Sequence, residues 1–203
     1  MVHAVIGKRT EEQARVFISG LLGKLSGPPP LFTSDELPHY KTALAQSHST
    51  LIPVPHTGKR GRPKKPIPRI DPELMYATVH KTRKKGRVIK VERLIVFGKE
   101  QEIYNTLEHS PVSQTVNTSY VERNNLNLRQ HSRRLTRKTN GFSKVKRNLE
   151  AQVILVMAYY NFVRPHCSLR IKGKGERTPA MKAELTDRVW SMSELMTYRV
   201  PNN

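Results

Sequence analysis

Apolar residues recur along this chain at intervals of two in some stretches and of three to four in others, and the changes of period predict its elements. Val2, Ala4 and Ile6 predict a short strand over Met1 to Gly7. Thr10-Glu11-Glu12-Gln13 has capping-box spacing. The helix it opens carries Ala14, Phe17, Ile18, Leu21, Leu22 and Leu25, until Gly27 and Pro28 to Pro30 end it. Leu31-Phe32-Thr33 predicts a brief strand, followed by Asp35 and an amphipathic helix over about 36–46. Five prolines between residues 53 and 68 exclude regular helix there. A hairpin follows, with arms Leu74 to Thr82 and Val88 to Phe97 and a turn at Lys84-Lys85-Gly86-Arg87. Asn117 or Ser119 then caps a helix to about Thr136. A second helix, read as largely buried, runs from about Lys144 to Val163 and stops before Pro165. Thr178-Pro179 starts a short one, with proline at its first position.

Charge narrows the function classes. Lys+Arg is 36 against Asp+Glu of 16, a formal net charge of +20 in 203 residues. Such self-repulsion calls for a polyanionic partner, and nucleic acid is the natural one because neutralised phosphates release counterions. A membrane partner is not expected: no signal peptide, lipid signal or long apolar helix is visible, and Val153 to Tyr160 is far short of a span. Cys167 is the one cysteine, and the eight histidines do not join it at zinc spacings. The expectation is a soluble cytosolic protein that meets nucleic acid.

The charge is unevenly placed. Residues 37 to 70 contain no acid, and at their centre lies Lys59-Arg60-Gly61-Arg62-Pro63-Lys64-Lys65. Arg60, Arg62, Lys64 and Lys65 are candidate DNA contacts. The Arg60-Gly61-Arg62-Pro63 core resembles an AT-hook, whose extended arginines enter a narrow minor groove; the alternative is a flexible linker touching only phosphates. Residues 123 to 149 also lack acids. Arg123, Arg129, Arg133, Arg134, Arg137 and Lys138 are assigned to the phosphate backbone, the alternative being a solvated helix face. Lys81, Arg83, Lys84, Lys85 and Arg87 of the hairpin form a second contact.

Gly7-Lys8-Arg9-Thr10, Phe32-Thr33-Ser34-Asp35, Asn117-Thr118-Ser119-Tyr120-Val121-Glu122-Arg123-Asn124 and Tyr160-Asn161-Phe162-Val163-Arg164-Pro165-His166 carry a joint signal. In this order, with the Thr178-Pro179-Ala180-Met181 tail, they resemble bacterial insertion-sequence transposases of the DDE type, within the RNase H-like integrase superfamily. The resemblance covers most of the chain, least securely between residues 50 and 110. It implies phosphoryl transfer on DNA with two divalent ions held by Asp, Asp and Glu. Asp35 matches the second Asp and Glu122 the Glu, with Mg²⁺ (or Mn²⁺) as cofactor. Tyr160, Asn161, Arg164 and His166 match a structural motif.

No Asp precedes Asp35. The resemblance therefore implies an N-terminally truncated chain, an α/β fold beginning at the third strand of a partial RNase H-like core, inactive by itself. The strand that would carry the first Asp belongs beside the one ending at Asp35. Either a homo-oligomer or an upstream transposase polypeptide supplies it, or the gene is a truncated relic. The expected organisation is an incomplete core over 1–52, a basic Pro-rich linker over 53–70, an inserted β-hairpin over 71–110 and a helical part of the core over 111–203.

Each assignment has a plainer counterpart. Asp35 fits a helix N-cap, and Glu122 fits the far end of a Ser119 capping box. Arg129, seven residues after Glu122, is a phosphate contact or a solvated arginine. His166 is expected to be structural, and Tyr159, Tyr160, Phe162 and Trp190 to be core rather than base-stacking platforms. The functions left open are DNA transposition on double-stranded transposon ends, a non-catalytic DNA-binding protein such as a transposition inhibitor, and a basic RNA-binding protein.

Overall fold

The computed structural model describes residues 1–27, 30–54, 65–136, 139–171, 173 and 175–199. The chain is mixed α/β and divides into two compact units, Val2–Glu122 and Arg123–Asn203, the latter joined by Met1.

The first unit is built on a sheet. β1 (Phe32–Asp35) pairs in parallel with β4 (Tyr76–Lys84), from Phe32↔Tyr76 to Asp35↔Val79. β4 pairs antiparallel with β5 (Arg87–Phe97), giving the order β1-β4-β5. Lys85 and Gly86, with φ of 48° and 79°, make the two-residue connection. Two consecutive positive φ values match the right-handed twist of a hairpin, and glycine takes one of them without cost. The predicted hairpin is thus present, but it is a constituent of the sheet rather than an insertion beside it.

Both faces of this sheet are covered. On one, α1 (Glu11–Leu22) and α2 (Pro38–Ser47) pack Ala14, Ile18, Ala43 and Leu44 against Leu74 and Tyr76. On the other, α3 (Glu100–Glu108) packs Ile103 and Leu107 against Ala77, Val79 and Val116. That double cover explains why β4 begins with four consecutive buried residues instead of alternating. Arg93, which interrupts the apolar row of β5, sends its Nε to the Val116 carbonyl at 2.9 Å.

Three local expectations are corrected. Met1 to Gly7 is not a strand; this segment has no ladder partner among the described residues. His3 instead stacks on Phe17 at 5.6 Å and lies so close over Gly20 that a β-carbon there would collide with its ring. The stretch read as linker over 53–70 is partly ordered. β2 (Ser49–Ile52) and β3 (Ile67–Ile70) pair antiparallel and bring the two ends of the basic segment side by side. Pro68 is tolerated because a two-stranded ribbon needs no donor on its outer edge. Third, the helix expected to be largely buried is not: in α5 (Lys146–Ala158) Val153 and Val156 are buried while Ile154 is 67% exposed.

The second unit is helical. α4 (Ser119–His131) enters it and is followed by a 3₁₀ turn, Arg133–Leu135, and by α5. α5 ends in a π-helical turn, Tyr159–Val163. α6 (Pro179–Lys182) and α7 (Met192–Thr197) pack on that turn. Thr178 caps α6 with proline behind it, as predicted. Trp190 donates its backbone N–H to Phe162 and its indole N–H to Thr186, both at 3.0 Å, and stacks on Phe162 at 4.8 Å. Phe162 and Trp190 are packing partners in this unit. No helix among the described residues is long and apolar enough to cross a membrane.

Candidate active site

In the first unit, Asp35 and Glu122 are brought toward the same strand. Asp35 ends β1 and is in register with Val79. Two residues further along β4, Lys81 donates from Nζ to Glu122 Oε1 at 2.5 Å. Strand alternation puts Asp35, Val79 and Lys81 on one face of the sheet. Both carboxylates lie at the carboxyl ends of the parallel pair, where open α/β sheets place their ligands. Asp35 is exposed and the Glu122 side chain is 55% exposed, so neither is locked in the core.

The plainer readings of the two acids do not describe what they do. The N-cap of α2 is Leu37, with no side-chain cap bond, and Asp35 receives Leu37 N–H on its backbone carbonyl. The charge of Asp35 reaches the phenols of Tyr40 and Tyr76. Burial first, and that charge with it, raises both above the usual tyrosine range. Glu122 is not bonded to Ser119. Its Oε1 accepts from the Thr118 hydroxyl at 3.0 Å, and its backbone N–H donates to Thr118 O. The Lys81 hydrogen bond holds Glu122 below the usual glutamate range, aided by Thr118 and by the charges of Lys81 and Arg83. Glu122 is therefore an ionised acceptor at neutral pH.

These residues do not by themselves make a complete metal centre. Hard cations need several oxygen donors, and among the described residues no group of three or more His, Cys, Asp or Glu is placed to hold an ion. The neighbouring acid, Glu36, is paired with His80. The cation that meets Glu122 is the Lys81 ammonium. Lys81 was expected to touch only DNA, and its ion pair has no signal at any sequence spacing.

The candidate DNA contacts fall into three groups. Lys84, Lys85 and Arg87 are exposed at the hairpin tip, and Lys65 is exposed before β3. Arg123, Arg133 and Arg134 are exposed in the second unit. Arg129 is half-buried and lines an open groove of about 390 Å³ with Leu126, Gln130 and Thr136. Arg60, Arg62, Lys64, Arg137 and Lys138 lie outside the described residues.

The Tyr160 to His166 stretch is structural in its contacts. Asn161 exchanges two hydrogen bonds with Met1, at 2.8 and 2.7 Å. Arg164 Nη1 meets His131 Nε2 at 3.1 Å, while His131 Nδ1 lies 2.8 Å from Asn127 O, a pattern that suits a neutral imidazole. His166 packs edge-on against Tyr160 at 4.3 Å, and its buried Nε2 has no partner among the described residues. Burial pushes His166 below the usual histidine range.

Comparison with curated proteins and with solved structures finds no match. A family model described as IS1 transposase matches residues 96–162, a stretch that contains Glu122 but not Asp35. Over those residues the chain is similar to an insertion-sequence transposase of the DDE type.

Proposed function

We propose that this chain binds the double-stranded ends of an insertion sequence and contributes Asp35 and Glu122, two of three carboxylates, to DNA strand cleavage and joining. The observation that carries this reading is that Asp35 stands in register with Val79 on β4, two residues from Lys81, whose ammonium holds Glu122. The third carboxylate would come from an added strand of another polypeptide or a second copy. β1 is an edge strand among the described residues, and its outer side offers backbone donors and acceptors for such a strand. Mg²⁺ or Mn²⁺ is expected only in that completed site.

Within this chain, the arginines and lysines of the hairpin tip and of α4 with its following turn would position phosphates. Lys81 would hold Glu122 ionised and oriented until the site is completed. The partial RNase H-like core and a nucleoid location belong to the same proposal.

The test joins the chain to an upstream polypeptide carrying an Asp-bearing strand. Cleavage of end-sequence duplex is then followed as a function of divalent ion. Asp35→Ala and Glu122→Ala should each reduce cleavage to background. Cleavage indifferent to both substitutions would refute the assignment. A second reading, a transposition inhibitor, draws on Lys81 satisfying Glu122 where a metal would otherwise bind. It expects tight, salt-sensitive duplex binding to which Asp35 and Glu122 are irrelevant. Preference for RNA over duplex DNA in competition would favour an RNA-binding protein instead.

A further inference from the structure

The ribbon of β2 and β3 is anchored at one end and free at the other. At its base, Asp71 donates its backbone N–H to His48 O at 2.7 Å, the His48 ring meets Phe32 edge-on at 5.9 Å, and Ile70 packs on the core around Leu74. Beyond the first pair, Ser49 with Ile70, every residue of both strands is exposed. The ladder from there to Ile52↔Ile67 reaches about 10 Å, at roughly 3.4 Å per residue. Its outer end is apolar on both faces, with Leu51 opposite Pro68 and Ile52 opposite Ile67. Leu51 is 67% exposed and Ile67 61%. Pro53 and Val54 border an open groove there with Ile52 and Ile67. Contiguous apolar surface held out on an arm marks an interaction site.

Charge selects the partner. Residues 37 to 70 contain no acid, and the segment joining the two strands, 53–66, carries five lysines and arginines. Lys65 and Arg69, two residues to either side of Ile67, are exposed. A second copy of this arm would set cations against cations. A polyanion with an apolar interior matches both properties of the tip. We propose that the β2–β3 ribbon enters the minor groove of duplex DNA and wedges Ile52 and Ile67 against a base step, unstacking it and kinking the helix. Leucine, isoleucine and proline carry no side-chain donors or acceptors with which to read base edges in the major groove. Such side chains act by prising stacked bases apart, and the resulting kink opens the narrow minor groove. That groove is about 7.5 Å deep, within the reach of the arm. The surrounding cations then meet the flanking phosphates, which offsets the cost of unstacking. The inference rests on the DNA-binding part of the proposed function and on none of its catalysis.

The test follows the full chain on a duplex of about 30 base pairs with a dye at each end, short enough to be nearly straight when free. Anisotropy measures binding and energy transfer measures the bend. Binding should raise energy transfer, and a duplex with a central mismatch, cheaper to unstack, should bind at least about tenfold tighter than the matched one. Ile52→Thr with Ile67→Thr keeps the β-branched shape and the net charge while placing hydroxyls at the wedge. That pair should return energy transfer to the free-duplex level and abolish the mismatch preference, with the salt dependence of binding unchanged. Ile52→Val with Ile67→Val should retain both effects. Circular dichroism would verify that these exposed substitutions leave the fold intact. A bound duplex that stays straight, or a bend that survives the threonine pair, overturns the wedge but leaves DNA binding standing. No duplex binding at all overturns both. A dimer in sedimentation that the threonine pair dissolves, with no bend in the DNA, overturns the wedge and assigns the tip to a second copy.

Discussion

The two units hold themselves together differently. In Val2–Glu122, two buried apolar clusters sandwich the sheet, and Leu74, Tyr76, Ala77 and Ile103 are essentially inaccessible. In the helical unit the buried apolar side chains among the described residues are Val153, Val156 and Ala180. Much of its order comes from polar and aromatic links: Arg164 to His131, His166 to Tyr160, Trp190 to Phe162 and Thr186, and the reciprocal capping box of Ser191 and Glu194. The difference follows from charge. A stretch with no acids from residue 123 to 149 cannot bury that face and must present it to water or phosphate. The sheet unit supplies a rigid mount for carboxylates, and the helical unit supplies cationic surface over a thin core.

The largest test of this contrast is a pair of truncations. Leu74→Ala should cost the sheet unit about 2–5 kcal/mol, through lost transfer energy and a cavity that a two-sided core cannot close. Val156→Ala should cost the helical unit about 1–2 kcal/mol. Urea denaturation measures both, and equal costs would break the comparison. Next comes DNA affinity. Replacing Arg133 and Arg134 together by Gln should reduce the slope of log affinity against log salt by about 1.8, if each neutralises one phosphate. Lys84→Gln with Lys85→Gln should do the same only if the hairpin tip shares the duplex. A slope that moves for one pair alone would assign binding to one unit.

Two smaller effects depend on pH. His166 is held below its ordinary pKa by burial, so its neutral form stabilises the fold. That contribution is complete above the unfolded histidine pKa, near 6.5, and declines as pH falls from there through the lowered value. Stability of the helical unit should therefore sag as pH falls below about 6.5, and His166→Phe should flatten that slope. Glu122 has the opposite arrangement, a lowered carboxylate pKa. Its contact with Lys81 stabilises above the ordinary glutamate value and is lost as pH falls through the depressed one. Carbon-detected titration of Glu122 should show its pKa rising toward the ordinary range in Lys81→Met, with little change in overall stability because the pair is largely exposed. An unmoved Glu122 would mean that Lys81 does not hold it.

What could be read beforehand was local. The hairpin was legible because Gly86 sits between two alternating arms. α6 was legible because Thr178-Pro179 is both cap and first turn. α3 went unread although Ile103 and Leu107 stand four residues apart; nine residues carry too few apolar repeats to stand out beside the hairpin. β3 was hidden by Pro68, which argues against a strand unless that strand is known to have only one neighbour. The Met1 to Gly7 segment had strand-like alternation but no partner, and alternation without a ladder stabilises nothing. Asp35 and Glu122 were picked out by their motifs, while Thr118 and Lys81, which touch Glu122, were not.

By its sequence alone this protein is a basic chain with a two-residue hairpin, capped helices and an acid-free helical stretch. Those properties depend on neighbours within a few residues, where backbone preference and charge act directly. Only the tertiary structure decided that β1 lies parallel to β4, that β2 and β3 join, and that Lys81 reaches Glu122. Such contacts join residues from about fifteen to about forty-four positions apart, and their free energy comes from surfaces that exist only after the chain has closed on itself.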